Sequence, residues 1–221
     1  MKKILAAILA VIMVFTLAAC GEPGDIDWDG KLAEYKDNAE VNQLIFVKYE
    51  GGTDAQLFYY QKDASESTGW KQIFECDADV SKNGIDKTKE GDNKTPSGDY
   101  MIVGAFGIEE DPGTNFDYFQ ITDDMYLCND DPATYNTIVN VSEVEHFCEG
   151  THLIEKAPGY NYVLDINFNE ECEWLGGSGI FLRCKQPNVD YTTGNVAVDE
   201  EYMLQMITTV EPGCHIIIGY Q

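Results

Sequence analysis

The 221 residues carry 39 acidic against 14 basic side chains, a formal net charge of −25, with 44% hydrophobic residues. That length holds one ample domain or two small ones, and the apolar content is enough for a core. So acidic a chain lacks the basic surface that nucleic-acid binding needs. It is also repelled by anionic membranes and anionic wall polymers unless it is tethered to them.

The chain opens with Lys2 and Lys3, then an apolar run from Ile4 to Thr16, then Leu17-Ala18-Ala19-Cys20. A positive end, an apolar stretch and small residues in that order mark a secretion signal over residues 1–19. The small residues before Cys20 resemble the lipobox of bacterial lipoproteins. The resemblance implies cleavage before Cys20, lipidation of that residue and an exported protein anchored to the outer face of the bacterial cell membrane. The apolar run is too short for an ordinary spanning helix. Residues 20–40, rich in Asp, Glu, Gly and Lys, read as an acidic spacer that lifts the domain off the bilayer. Leu32, Ala33 and Tyr35 allow a short helical turn within it.

From Val41 the pattern becomes β, and a single domain is expected over 41–221. Leu44 to Tyr49 predicts a strand ending at Gly51-Gly52, with Ala55 to Gln61 as its hairpin partner and Trp70 to Cys76 as a third strand. Asn93 to Gly98 predicts a tight turn into a strand from Tyr100 to Phe106. Residues 107–150 are acidic, aromatic and irregular, the composition of a lid or binding loop. Gly159 to Phe168 alternates as a strand, with Tyr160, Tyr162, Leu164 and Ile166 on one face. Gly179 to Cys184 is a further strand, followed by a polar loop to Thr192-Thr193-Gly194-Asn195 and a short apolar run to Val198. Asp199 is placed to cap a helix whose Met203, Met206, Ile207 and Val210 share one face, and Pro212-Gly213 stops it. Cys214 to Ile218 is the last strand. The expected fold is mostly β, a sandwich or barrel with one helix in its C-terminal half and a long irregular insertion.

Beyond Cys20 there are six cysteines, Cys76, Cys128, Cys148, Cys172, Cys184 and Cys214. An even number in an exported chain permits disulfides, and their spacing does not choose among the 15 full connectivities. His146, Cys148 and His152 have a loose metal-ligand look without a convincing fourth ligand, so neither a metal nor a cofactor is expected.

Five segments, in order, resemble the L,D-transpeptidase (YkuD-type) family, whose members cross-link peptidoglycan through a cysteine acyl-enzyme. They are Lys94-Thr95-Pro96-Ser97-Gly98-Asp99-Tyr100, Thr151-His152-Leu153, Tyr160 to Asn169, Gly177 to Arg183, and Thr192 to Val198. In the family the Ile-Phe-Leu segment is followed by histidine and the Thr-x-Gly segment by the nucleophilic cysteine. Here those positions are Arg183 and Asn195. A carboxamide is no nucleophile, and a guanidinium stays protonated and is no base. Losing either member of such a pair costs orders of magnitude in rate. The resemblance therefore implies a pseudoenzyme. Cys184 does not replace the missing thiol, because neighbouring strand residues face opposite ways.

The same frame implies a binding role. Arg183 offers a fork of donors suited to a carboxylate, Asn195 an amide, and the backbone near Thr193, Gly194 and Asn195 an anion-receptive corner, with His152 as a nearby loop histidine. The expected ligand is a peptidoglycan stem peptide, held where Arg183 and Asn195 face each other across an open cleft. Against this stands a closed cleft with Arg183 paired to an acid such as Asp190. Two other readings are carried: an acyltransferase with altered catalytic residues, and a scaffold lipoprotein that grips another envelope protein through Phe116, Tyr118, Phe119, Met125 and Tyr126.

Overall fold

The computed structural model describes residues 26–144 and 150–221. The leader, Cys20, His146 and Cys148 lie outside the described residues. In chain order the strands are β1 (Gln43–Gly51), β2 (Asp54–Lys62), β3 (Trp70–Asp79), β4 (Gly98–Gly107), β5 (Tyr118–Gln120), β6 (Met125–Cys128), β7 (Thr137–Asn140), β8 (Thr151–His152), β9 (Val163–Ile166), β10 (Phe181–Cys184), β11 (Val196–Val198) and β12 (His215–Tyr220). The helices are α1 (Trp28–Lys36) and α2 (Glu200–Thr209). The main sheet runs β12-β1-β2-β3-β11-β10-β9-β4 and closes on itself where β12 pairs antiparallel with β4. The fold is therefore mostly β, a closed barrel, with β5 continuing beyond β4 and a separate three-stranded sheet β7-β6-β8.

Strand β1 explains the layering. Leu44, Ile45, Phe46 and Val47 are all buried, so both faces of the strand are covered. Ile45 and Val47 point into the barrel with Leu57, Ile216 and Ile218. Leu44 and Phe46 point outward and pack with Leu32, Tyr35, Trp70 and Ile217. That outer cover is α1, which contains the short helical turn expected at Leu32, Ala33 and Tyr35 and packs on the barrel within the stretch 20–40 expected to be an acidic spacer. Trp28, Leu32 and Tyr35 recur on one helical face. Asp27 Oδ1 caps the helix by accepting from Gly30 N at 2.9 Å, and Trp70 Nε1 donates to the Leu32 carbonyl at 2.8 Å.

A polar cluster pins α1 where the barrel closes. Tyr35 Oη donates to Asp99 Oδ2 at 2.7 Å, Lys31 Nζ reaches the same oxygen at 3.1 Å, and His215 Nδ1 lies 2.8 Å from Asp99 Oδ1. Burial pushes the Asp99 carboxyl up, but the bonds from His215, Tyr35 and Lys31 together outweigh it and hold the group below the ordinary carboxylate range. A depressed carboxyl stabilises the fold above its unfolded pKa of about 3.9, and that stabilisation is lost as pH falls through the lower folded value. The Asp99→Asn variant is accordingly expected to be less stable than wild type at neutral pH. The gap should close as wild-type Asp99 becomes protonated in acid. Denaturant unfolding of both proteins along a pH series measures that gap, and a gap independent of pH contradicts the assignment.

Helix α2 turns Met203, Met206, Ile207 and Val210 into the barrel core, as their spacing predicts. Asp199 occupies the N-cap position, but its side chain makes no capping bond; its carbonyl accepts from Tyr202 N and Met203 N instead. The insertion is less irregular than its composition predicts, because β5, β6 and β7 form within it. The small sheet covers the outer face of β4, β9 and β10, where Phe106, Leu127, Leu153, Val163 and Phe181 share a cluster. Phe116 and Tyr118 pack against the barrel core and Met125 against this outer cluster, while Phe119, 39% exposed, stacks on Phe106 with ring centroids 4.9 Å apart. Cys76, Cys172, Cys184 and Cys214 carry free thiols, and the Cys128 sulfur lies 3.1 Å from Asp130 Oδ1.

Candidate functional site

The strand expected over 159–168 is paired only from Val163 to Ile166. The residues before it form turns, and this decides the geometry around positions 183 and 195. Leu164 and Ile166 face the barrel core as the alternation predicts, but Tyr160 swings to the opposite side and joins the outer cluster. Along the outer face of the three neighbouring strands, Phe106, Val163 and Arg183 form one row of partners, and Gly104, Asp165 and Phe181 the next.

Arg183 and Asn195 come together through Tyr160. The Asn195 side chain is bonded at both ends: Oδ1 accepts from Phe181 N at 3.0 Å and Nδ2 donates to Tyr160 Oη at 3.2 Å. The Arg183 guanidinium lies over the Tyr160 ring, 5.6 Å from its centroid, and Nη1 donates to the Cys184 carbonyl at 2.6 Å. The exposure of Arg183 is 7% and that of Asn195 is 5%, so the expected open cleft is closed. Gly159 completes the cover: a Cβ there would sit 2.6 Å from Gln186 Nε2 and 3.0 Å from Arg183 Nη1. Burial lowers the Arg183 pKa from its ordinary value, opposed by Tyr160, Cys184 and Asp79. Asp79 itself is bound to Lys185 at 2.9 Å, and Asp190 is exposed rather than a partner. Arg183 Nε is buried without a hydrogen-bond acceptor.

The loop carrying Asn195 is anchored from below. Thr192 Oγ1 donates to the Asn195 carbonyl at 2.6 Å, and Thr95 Oγ1 lies 3.0 Å from the same carbonyl and 3.0 Å from Ser81 Oγ. Ser81, Thr95 and Thr192 are at most 2% exposed, so this is a dry hydroxyl cluster that joins two segments distant in sequence. The backbone corner expected to receive an anion is filled: Gly194 N donates to Thr192 Oγ1 at 3.4 Å, and a Cβ on Gly194 would meet Ile180 Cδ1 at 2.8 Å. Thr193 is exposed beside it.

His152 is not part of this group. On β8 it stacks on Tyr126 at 4.4 Å, and its ring nitrogens reach the Asp123 carbonyl at 2.7 Å and Glu155 Oε1 at 3.3 Å. The Asp123 carbonyl, then Glu155, raise its pKa. Cys184 faces the barrel core as expected, 1% exposed, with burial pushing its thiol up to about 12. No thiol, hydroxyl with a base, or free imidazole borders Asn195 among the described residues. Nor does any cluster of His, Cys, Asp and Glu there form a metal site.

Sequence reasoning missed Tyr160 as the group that joins and covers the two positions. Its place at the turn before β9 was hidden by an alternation that fits a longer strand.

No family model and no curated protein matches the chain. Among solved structures it is similar to a C442S mutant of an L,D-transpeptidase from Enterococcus faecium, at 14% identity and a TM-score of 0.39. That likeness covers 80% of this chain and 49% of the other, so the chain spans about half the length of the structure it matches.

Proposed function

We propose that this chain is an exported, lipid-anchored envelope protein whose L,D-transpeptidase-like domain performs no acyl transfer and instead holds peptides of the cell wall. The reading rests on the order of the five family-like segments together with one observation. The two positions that would carry the nucleophile and its base hold an asparagine and an arginine, each buried and bonded to its own fold. Acyl transfer needs a nucleophile activated by a neighbouring base, and neither residue supplies that chemistry. Their burial also removes Arg183 from direct recognition of a carboxylate, so wall peptides would be held by surfaces other than the 183–195 pair. The net charge of −25 keeps the domain off anionic polymer by default. Retention on the wall would therefore report a specific contact and not charge attraction.

Cosedimentation with purified sacculi tests the binding. The chain is expected to be retained at physiological salt, where charge repulsion is screened beyond about 8 Å. Addition of soluble stem peptide should release it. Retention no greater than that of an unrelated acidic protein removes the reading.

A further inference from the structure

Beside the closed 183–195 region, a cavity of about 630 Å3 opens between the barrel and the small sheet. Its apolar walls include Phe106 and Phe181 on the barrel and Leu127 and Ile138 on the small sheet. Among the described residues its charged lining groups are Asp165, Glu143 and Glu170, all acidic, and Cys172 is the only other titratable group there. No Lys, Arg or His lines it among the described residues.

Asp165 sits between Phe181 on β10 and Gly104 on β4. Gly104 has no side chain to cover it, and a Cβ added there would meet Asp165 Cβ at 3.6 Å, an ordinary contact. Among the described residues the carboxylate has no side-chain donor; the Ile166 N–H is its one favourable neighbour. Burial, then repulsion from Glu170, raises its pKa to about 6. The group is thus ionised at neutral pH at a cost to the fold.

The chemistry of an occupant follows by elimination. An anion would face three carboxylates. A neutral apolar body would bury Asp165 further without a partner, which is costly. A protonated amine on an apolar body satisfies both, by burying apolar area and supplying a charge-assisted bond to a carboxylate that lacks one. The geometry points to a binding site in this cavity for a small organic amine, with Asp165 as the group that receives its ammonium. The site uses neither Arg183 nor Asn195, and it stands whether or not wall peptides bind.

Calorimetric titration of the full chain with three matched probes tests the site: 4-phenylbutylamine, 4-phenylbutanol and 4-phenylbutanoate. At about pH 8, with Asp165 ionised and the amine protonated, the amine should bind about 10-fold tighter than the alcohol, and the carboxylate more weakly than either. At about pH 5 Asp165 is mostly protonated and the amine's advantage should largely vanish. The Asp165→Asn variant should bind amine and alcohol alike at the higher pH. Gly104→Leu, which places a side chain beside Asp165, should also abolish the amine's preference and gives an independent readout if the first variant folds poorly. Equal binding of amine and alcohol by wild type, a preference that survives in Asp165→Asn, or no binding of any probe overturns the proposal.

Discussion

Replacing Asn195 with alanine is expected to lower the unfolding free energy by about 2–4 kcal/mol, a large fraction of the stability of an ordinary domain. The loss comes from what the amide leaves behind. Phe181 N–H and Tyr160 Oη both lose their partner in a place where Asn195 is 5% exposed and water has little access. A buried polar group without a partner costs more than the bond itself contributes. Truncation also leaves a void beneath Tyr160, which adds a cavity cost. Urea unfolding with an unchanged slope would measure the effect as a shift in midpoint. The sign carries information about role. Residues poised for chemistry or ligand capture are often held at the expense of stability, so their replacement tends to be neutral or stabilising. A neutral or stabilising Asn195→Ala would contradict the structural role assigned to this amide.

Asp92→Ala is expected to be at least as damaging, at about 3–5 kcal/mol. The Lys87 side chain is 2% exposed and its Nζ lies 2.9 Å from Asp92 Oδ1, while the Asp92 side chain is 9% exposed. Three backbone donors converge on the same carboxylate, from Thr88 at 2.8 Å, Lys89 at 3.1 Å and Lys94 at 3.0 Å. Burial opposes the charged form, but these bonds and Lys87 together hold the carboxyl below its usual range. Removing it leaves a buried, unpaired cation and frees the turn that delivers Thr95 to the hydroxyl cluster under Asn195. For a chain of this size the loss corresponds to a fall in Tm of about 10 °C, read by thermal unfolding. The Lys87→Met, Asp92→Leu double variant should recover only the part due to the unpaired charge, because the three backbone donors still lose their acceptor.

The barrel strands were legible because their apolar runs are long and end at clear turns. Helix α1 was legible only as a short helical turn. Its sequence is mostly charged and polar, and only Trp28, Leu32 and Tyr35 mark a face. The signal that would have found it lies elsewhere, in Leu44-Ile45-Phe46-Val47 and in Ile216-Ile217-Ile218. Such uninterrupted runs need cover on both sides of the sheet, and something outside the barrel had to provide it. Positions 183 and 195 were identifiable as a pair, and a closed cleft was one of the readings carried, but with an acid such as Asp190 as the partner of Arg183 and not Tyr160 and the Cys184 carbonyl. An arginine is rarely fully buried, so the expectation of an exposed fork was the ordinary one. What overrode it was Tyr160, whose ring lies against the guanidinium and whose hydroxyl accepts from the amide. Asp165 was passed over because a single acid on an alternating strand reads as solvent-facing. Only the glycine opposite it and the small sheet that closes the cavity give it significance, and both are tertiary facts.

The free thiols also bear on catalysis. Cys76, Cys184 and Cys214 are buried, and burial raises the pKa of each, to about 12 for Cys76 and Cys184. A thiol so raised is scarcely ever the thiolate that acylation requires. Cys172 is partly exposed, and its sulfur lies 3.6 Å from the Glu170 carbonyl, which is no base.

The proposal that this domain performs no acyl transfer is tested most directly by incubating the folded chain with a carbapenem and weighing the intact protein. The account predicts an unchanged mass at reagent excess and long exposure. A stoichiometric acyl adduct on any cysteine, retained after unbound reagent is removed, would contradict it.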